Sequence, residues 1–215
     1  MVGSRERGSA GAPPRAVATF RRARRAAGDR SGGGPGRPEF EEVSASGLIL
    51  SPFGHRHTEG YADVRCAPGV AHYLPGGELD RTEARLRAER LADESAADWR
   101  QLGLGLWSVE LPGRRGSIGV CGFTRLEPEC LAISYLFTPA CWGRGCATAC
   151  VAQAMRRRAR LAVAIRVVGL VRPGNLASCR VLEKNGLSRT GLMDYGGGLS
   201  LIYEAAAPPA ETKET

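Results

Sequence analysis

The sequence predicts an α/β domain whose central sheet is mixed, largely antiparallel and flanked by helices. Residues 104–110, 117–125 and 131–137 are apolar or alternating runs separated by short turns that contain Pro or Gly, which is the hairpin spacing of antiparallel strands. The chain then alternates between strand-like and helix-like segments, as in sheets covered by helices. The length of 215 residues, with 43% hydrophobic and 24% charged residues, is typical of one soluble domain with tails.

Residues 79–102, which precede the hairpins, predict a long helix. Asp80 and Glu83 have the spacing of a capping box, in which each side chain satisfies a backbone N–H of the other residue. Apolar residues recur at helical spacing through the segment, and Gly103 is suited to end it. The stripe is typical of a helix that packs on a sheet.

The domain is predicted to begin near Glu39. Residues 47–53 predict its first strand, and residues 57–65 predict a short helical region. Two of the three histidines, His55 and His57, lie between these elements. We expect both side chains in an exposed loop.

Residues 139–147, PACWGRGCA, join the third hairpin strand to a helix predicted for residues 148–160. The first turn of a helix has unpaired N–H groups and a partial positive charge, and it therefore binds phosphate oxygens well. Gly143 and Gly145 permit unusual backbone dihedrals and close approach of a ligand, while Arg144 adds a positive charge. The turn is a candidate pyrophosphate site, although a glycine before a helix also has a purely steric explanation.

A further strand and helix follow this turn. Residues 163–171 are apolar and β-branched and predict a strand, and residues 177–185 predict a helix. Asn175 is placed to cap that helix and Gly186 to end it. The last predicted strands are residues 187–195 and 199–205.

Two motifs in this order resemble the acetyl-CoA motifs of the GNAT superfamily of N-acetyltransferases. The segment WGRGCA, residues 142–147, resembles the first motif, with Gly145 and Ala147 at its last two defined positions. Asn175 and Ser178, followed by RVLEK, resemble the second motif. The nearest branch is the RimJ/RimL type of ribosomal-protein N-acetyltransferase, in which W-G-[KR]-G-x-A is a frequent form. The resemblance runs from about residue 48 to residue 203.

This resemblance implies the GNAT fold and direct transfer of an acetyl group from acetyl-CoA to a primary amine, without a metal or a covalent enzyme intermediate. It implies that Asn175 binds the pantetheine arm, that Ser178 lies near the thioester sulfur and donates a proton to it, and that the strand around Leu136 offers a backbone N–H to the thioester carbonyl. Asp194 is a candidate general base, beside a base that acts through water. The cofactor-binding residues implied are Phe137, Trp142, Gly143, Arg144, Gly145, Cys146, Ala147, Asn175 and Ser178.

Four positions depart from the family pattern and leave the acceptor open. Ala132 and Ser134 replace the acidic residue and the glycine of the family's E-I-G-Y-x-L strand, Leu182 stands where many members have a tyrosine acid, and Ser51 replaces an arginine. A protein N-terminal α-amine is the leading acceptor because the nearest branch suggests it, and a small-molecule amine, such as an antibiotic or polyamine, is its rival. The alternative from another class is a regulatory module that binds CoA without catalysis. Either a monomer or a homodimer is compatible with the resemblance.

The positive charge is concentrated at the N-terminus. Residues 1–38 have nine arginines against Glu6 and Asp29, a net charge of +7, so the remaining residues contribute only about +1 of the total +8. This segment is rich in Gly and Pro and poor in apolar residues, which predicts disorder. Non-specific nucleic-acid binding by this segment is a weaker alternative, and a start-site artefact also explains it. We therefore predict a domain at 39–205 and a polar tail at 206–215, with no specific nucleic-acid partner.

The chain has no secretory h-region and no run of about 18 apolar residues, so a cytoplasmic protein without a membrane partner is expected. Seven cysteines are present, an odd number. Cys141, Cys146 and Cys150 are close in sequence, but they lack a nearby histidine and a paired C-x-x-C spacing. Core packing is therefore the better account of these residues.

Overall fold

The computed structural model describes residues 43–45, 47–114, 116–161 and 165–206. The predicted basic extension at 1–38, the first two residues of the strand predicted for 163–171, and the tail from 207 onward lie outside these ranges. Eight strands form one sheet in the described part of the chain, in the order β1-β2-β3-β4-β5-β6-β8-β7. They are β1 (Val43–Ala45), β2 (Leu48–Pro52), β3 (Leu106–Glu110), β4 (Ser117–Glu127), β5 (Cys130–Phe137), β6 (Arg166–Val171), β7 (Leu187–Asp194) and β8 (Leu199–Ala205).

The predicted helices are confirmed. They are α1 (Thr58–Arg65), α2 (Arg81–Leu102), α3 (Cys146–Arg160) and α4 (Leu176–Lys184). At the start of α2 the capping box forms as predicted, since Asp80 Oδ1 accepts from the Glu83 N–H at 2.8 Å and Glu83 Oε2 accepts from the Asp80 N–H at 3.0 Å. Gly103 ends the helix in the left-handed conformation, with φ at 65°.

The sheet is antiparallel at every pairing except one. Strands β3 to β5 form the predicted consecutive antiparallel pairs, and β2 also pairs antiparallel with β3, whereas β5 and β6 run parallel. A parallel pair needs a crossover connection, and α3 provides it. The mixed, mostly antiparallel sheet that the sequence predicts is confirmed.

Cross-strand register divides the residues of the sheet between two faces. Ser51, Ser108, Val120 and Leu136 lie opposite one another across β2 to β5, so their side chains share one face. Helices α1 and α2 cover this face through a core that includes Tyr61, Ala88, Ala92, Leu106 and Val120. Helices α3 and α4 cover the other face, where the larger core includes Trp107, Phe123, Ile133, Val151 and Leu182.

One expectation for this region is wrong. His57 is buried, with 7% of its surface exposed, because its ring packs against Phe53 and lies below the start of α1. His55 is exposed as expected and contacts Asp93 at 3.0 Å. None of the helices in the described part of the chain is long and apolar enough to cross a membrane.

Candidate active site

A gap in the sheet lies between β5 and β6. The two strands pair only at their beginnings, from Cys130 opposite Arg166 to Ala132 opposite Val168. Beyond Ala132, β5 pairs with β4 alone, and β6 pairs with β8 alone.

Because each strand is followed by a helix, α3 begins after the carboxyl end of β5 and α4 begins after the carboxyl end of β6. Asn185, at the end of α4, donates from its side-chain amide to the Thr148 carbonyl near the start of α3 at 3.4 Å. Ligands bind at the carboxyl ends of strands in parallel α/β arrangements.

The start of α3 has no side-chain cap. Its N-cap residue is Gly145, which adopts the left-handed conformation with φ at 79° and has no side chain to accept from the first turn. Gly143 is also left-handed, with φ at 70°. A Cβ built on either glycine has no atom within 4 Å, so the space in front of the helix is open. The predicted strand, turn and helix N-terminus are confirmed, and this open cradle of N–H groups fits the pyrophosphate of acetyl-CoA.

Positive charge surrounds this turn. Arg144 is exposed. Burial raises the pKa of the Cys141 thiol, and the charges of Arg144 and Arg114 oppose that shift, so both guanidinium groups lie near the turn. Cys146 and Ala147 form the first positions of α3 and pack against the larger core. Arg114 and Arg144 are both exposed, and two cations near an open helix N-terminus are suited to phosphate oxygens.

Trp142 connects the turn to its surroundings. Its indole Nε1–H donates to the Phe137 carbonyl at 2.9 Å, and its ring lies 3.7 Å from where a Cβ of Gly69 would stand. The side chain is 52% exposed, while Phe137 is buried in the core. The hydrogen bond from Trp142 therefore fixes the turn to the end of β5, and the Phe137 side chain anchors this end of the strand in the core.

At the start of α4, the predicted cap is present. Asn175 Oδ1 accepts from the Ser178 backbone N–H at 3.1 Å. This bond occupies the amide oxygen of Asn175 and leaves its NH₂ group as a donor. Ser178 is half-buried in the first turn, and its hydroxyl forms no hydrogen bond within the described residues. A free amide donor and a free hydroxyl thus lie together at this end of the gap.

Tyr135 spans the gap, and sequence reasoning missed this role. Its hydroxyl donates to the Ser178 carbonyl at 3.2 Å, which joins β5 to α4 across 43 positions of sequence. Burial raises the pKa of the Tyr135 phenol, so the group stays protonated and remains a donor. The tyrosine was visible in the E-I-G-Y-x-L resemblance, but its partner depends on the tertiary structure.

Leu136 lies on the face that α1 and α2 cover, where it packs against the cluster that includes Tyr61 of α1. Its carbonyl oxygen would stand 2.3 Å from a Cβ on Gly119, so only glycine permits this approach of β4 to β5. Leu136 is half-buried. Leu136 therefore lies near the end of β5, where this strand borders the gap, and on the face of the sheet that α1 covers.

The segment between α1 and α2, residues 66–80, crosses the mouth of the gap. On one side Gly69 contacts Trp142. On the other side the Tyr73 hydroxyl donates to the Gly174 carbonyl at 3.4 Å, and Pro75 lies 2.7 Å from where a Cβ of Gly196 would stand. The segment thus touches the turns before α3 and α4 and the turn between β7 and β8.

Asp194 is exposed at the end of β7, opposite Leu199. Strands β6 and β8 stand between β7 and β5, which corresponds to about 14 Å across the sheet at three strand spacings. Arg172 fixes the neighbouring turn by donating to the carbonyls of Gly196 and Leu199 at 3.0 and 3.2 Å. Asp194 is therefore not adjacent to Leu136 in the sheet, and only the turn after it approaches the mouth of the gap.

The cysteines pack in the core or stand as free thiols. All seven are unpaired, and Cys121, Cys130, Cys141, Cys150 and Cys179 are buried. Burial raises the pKa of the Cys150 thiol to about 12. No group of three or more His, Cys, Asp or Glu side chains in the described ranges is placed to hold a metal ion.

A protein-family model described as Acetyltransferase (GNAT) domain matches residues 47–188, about two thirds of the chain. The chain therefore belongs to the GNAT acetyltransferases, enzymes that transfer an acetyl group from acetyl-CoA, as the resemblance of its two motifs predicts.

Solved structures share the fold. A GNAT-family acetyltransferase from Bacillus anthracis is 20% identical over 79% of this chain and 100% of its own, with a TM-score of 0.62. RimL, a ribosomal L7/L12 alpha-N-protein acetyltransferase in complex with coenzyme A, is 18% identical. The match covers 79% of this chain and 100% of RimL, with a TM-score of 0.64. AAC(6')-Ib in complex with ribostamycin and coenzyme A is 14% identical. The match covers 79% of this chain and 99% of AAC(6')-Ib, with a TM-score of 0.61.

Proposed function

We propose that the protein transfers the acetyl group of acetyl-CoA to the N-terminal α-amine of a protein or peptide. The observation that carries this proposal is that two helices begin after the strands that border the gap: α3, with its uncapped Gly145, follows β5, and α4, with Asn175 and Ser178, follows β6. The first suits a pyrophosphate, and the second offers polar groups to the pantetheine arm. The similarity to RimL supports the acceptor class.

The residues of the gap would position the two reactants. The first turn of α3, Trp142 and Arg144 hold the phosphates, and the amide NH₂ of Asn175 holds the pantetheine arm. A backbone N–H near Leu136 polarises the thioester carbonyl, so that negative charge developing on its oxygen is stabilised. The acceptor amine approaches from the face covered by α1, and this alignment supplies much of the rate enhancement.

Two proton transfers complete the reaction. The amine loses a proton either to Asp194, which directly precedes the turn that approaches the gap, or to a base that acts through water. Ser178 donates a proton to the departing sulfur through its free hydroxyl. A thiol has a pKa of about 8.5, so the thiolate is a tolerable leaving group and help from Ser178 adds a moderate factor.

A small-molecule amine is the second candidate acceptor. The fold similarity to AAC(6')-Ib in its ribostamycin complex favours it. A CoA-binding module without catalysis is the third candidate, because Ala132 and Leu182 replace ionisable residues of many family members. The free hydroxyl of Ser178 argues for the enzyme.

We also propose that residues 39–205 form the whole catalytic domain and that the protein works in the cytoplasm, whose reducing conditions suit seven unpaired cysteines. Deletion of residues 1–38 should leave acetyl transfer unchanged. If the truncated protein still bound nucleic acid in the same salt-sensitive way, the basic segment would not be its cause.

The deciding experiment measures thiol release from acetyl-CoA with N-terminal peptides, polyamines and aminoglycosides in separate pools, alongside calorimetric binding of acetyl-CoA. We expect binding of acetyl-CoA, and thiol release that depends on the peptide pool. Release only with aminoglycosides or polyamines would assign the small-molecule function. Binding without release in any pool would assign the regulatory module.

A further inference from the structure

Two hydroxyl groups lie on the sheet where β5 borders the gap. Side chains alternate between the two faces of a strand, so Ser134 shares with Leu136 the face that α1 and α2 cover. Ser134 comes after Ala132, which is the last residue of β5 that pairs with β6. Its hydroxyl lies 2.9 Å from the Thr124 hydroxyl on β4, and both residues are half-buried. The pair therefore lies at the edge of the gap, on the side from which the acceptor amine approaches in the proposed function.

The hydrogen bonds of this hydroxyl pair have a direction. The Thr124 hydroxyl donates to the Ala132 carbonyl at 3.5 Å, which is longer than an ordinary hydrogen bond of this kind, so a nearer acceptor would replace the carbonyl. Because the Thr124 proton points away from Ser134, the Ser134 hydroxyl donates to Thr124 Oγ1. The Ser134 oxygen has no further partner in the part of the chain that the structure describes. Its lone pairs are free to accept from an amine N–H.

A small cavity lies beyond Thr124, between α2 and the strands β3 and β4. Thr124 lines it together with Glu94 and Asp98, and its volume of about 10 Å³ accommodates about one water molecule. The Arg125 guanidinium occupies Asp98, to which its Nη2 and Nε donate at 2.7 and 2.9 Å. Glu94 forms no ion pair within the described ranges. Glu94 is therefore the carboxylate of the cavity that is free to accept a proton.

The surroundings of Glu94 allow it to pass such a proton to solvent. Glu94 is exposed, as are Arg90, one turn earlier on α2, and the neighbouring Asp93. Asp93 contacts His55 at 3.0 Å and does not line the cavity. An exposed carboxylate exchanges protons with water, so Glu94 is ready again for the next turnover.

The position along β5 connects the hydroxyl pair to the reaction. Leu136, near which the proposed function places the thioester carbonyl, follows Ser134 by two residues, or about 7 Å along the strand. The attacking amine lies beside that carbonyl, so its N–H reaches Ser134 directly or through one water molecule. Asp194, by contrast, is separated from β5 by β6 and β8. The hydroxyl pair is therefore nearer to the reacting amine in the sheet than Asp194 is.

We infer that Ser134 and Thr124 relay the proton of the acceptor amine, through one water molecule, to Glu94. This inference rests on the proposed function and identifies its base that acts through water. As the amine nitrogen bonds to the thioester carbonyl carbon, its proton moves to Ser134 Oγ and the Ser134 proton moves to Thr124 Oγ1. The Thr124 proton moves through the water to the Glu94 carboxylate, while the N–H electron pair stays on nitrogen. The electrons of the C–S bond leave with sulfur, which takes a proton from Ser178.

The first test is the pH dependence of kcat for Glu94→Gln, which keeps the shape of the side chain and removes the proton acceptor. At pH 7 and saturating peptide we expect kcat to be about tenfold lower than in the wild type, with calorimetric binding of acetyl-CoA unchanged. The loss should shrink above about pH 8, where an N-terminal α-amine is already deprotonated in solution. Glu94→Asp, which keeps a carboxylate, should recover much of the loss. Asp93→Asn is the matched control, because Asp93 is the neighbouring exposed carboxylate and lies outside the cavity.

The second test shows whether Thr124 and Glu94 act on one path. Thr124→Val replaces the hydroxyl by a methyl group of similar size, and circular dichroism checks the fold of the variant. It should show the same pH-dependent loss of kcat as Glu94→Gln, and the double variant should lose no more than the larger single loss. If Thr124→Val does not fold, Ser134→Ala combined with Glu94→Gln completes the same cycle.

Equal pH profiles of the wild type, Asp93→Asn and Glu94→Gln, with peptides acetylated by all three, would overturn the relay and leave the acetyltransferase proposal in place. Additive losses in the double variant would also overturn it, because they would show two separate roles. A profile that depends on Glu94 with aminoglycosides or polyamines, but no transfer to peptides, would support the relay and reject the proposed acceptor. Thiol release in no pool would overturn both.

Discussion

Helices α2 and α3 begin in opposite ways. At α2, Asp80 and Glu83 satisfy each other's backbone N–H groups. At α3, Gly145 has no side chain, its φ is 79°, and open space lies in front of it. The first turn of α2 is thus stabilised by its own residues, whereas that of α3 has no side-chain cap and faces open space. The start of α4 lies between these extremes, because Asn175 caps one N–H and keeps a free amide donor.

The difference shows how one chain separates stability from binding at the same kind of structural element. A capped terminus adds about 1 kcal/mol to stability and binds nothing. An uncapped terminus lacks this stabilisation, and a bound anion supplies it instead. Mutations at the three helix starts should therefore move stability and cofactor affinity independently.

The largest effect is expected from Gly145→Glu. A side chain at this left-handed position costs on the order of 1–2 kcal/mol of folding free energy. A carboxylate in front of α3 costs about 1–2 kcal/mol of binding free energy, because it repels the phosphates. Calorimetry should therefore show about a tenfold to thirtyfold loss of acetyl-CoA affinity. Gly145→Ala, which has the same strain without the charge, should lose less. Normal binding by Gly145→Glu would show that the pyrophosphate lies elsewhere.

Ser178→Ala tests the hydroxyl separately from the capped backbone of the same residue. The Asn175 cap uses the Ser178 N–H, so the fold should be unchanged. We expect kcat to fall about tenfold with KM for acetyl-CoA unchanged, and the loss to shrink above pH 8.5, where the thiol leaves as thiolate without help. Ser188→Ala, at an exposed position of β7, serves as the control. A loss that did not change with pH would argue against a proton donor.

Asn175→Asp separates capping from binding within one side chain. Aspartate keeps an oxygen for the Ser178 N–H and complements the helix dipole, so the free energy of unfolding should stay within about 0.5 kcal/mol of the wild type. Because the variant lacks the NH₂ donor, KM for acetyl-CoA should rise about threefold to tenfold. Asn175→Ala should show both the weaker binding and a loss of stability. Unchanged KM in both variants would remove Asn175 from the cofactor site.

Asp80→Ala should lower folding stability without changing acetyl-CoA affinity, so its effect on cofactor binding is the smallest of the four. Loss of the cap should lower the free energy of unfolding by about 1 kcal/mol, measured by urea denaturation, while acetyl-CoA affinity stays the same. Glu78→Ala, at an exposed position outside the capping box, should change neither quantity. A drop in cofactor affinity for Asp80→Ala would mean that the two helix starts are coupled.

The elements that sequence predicted well are those whose signals lie within a few residues. The box of Asp80 and Glu83 and the cap of Asn175 each act over three positions, and the structure places both as predicted. The burial of His57 was not predicted, because it depends on the packing of Phe53. The link between Tyr135 and Ser178 and that between Tyr73 and Gly174 join residues 43 and 101 positions apart, so no local pattern announces them.

The helices, the strands from β2 onward, the glycine turn before α3 and the resemblance to the GNAT acetyltransferases could be predicted from sequence, because short-range backbone preferences and two motifs encode them. The strand β1 was not predicted. The place where β5 and β6 separate and the segment that crosses the gap between them were seen only in the tertiary structure. Those features arise when distant segments pack together, since burial and charge balance depend on neighbours that the linear sequence does not place side by side.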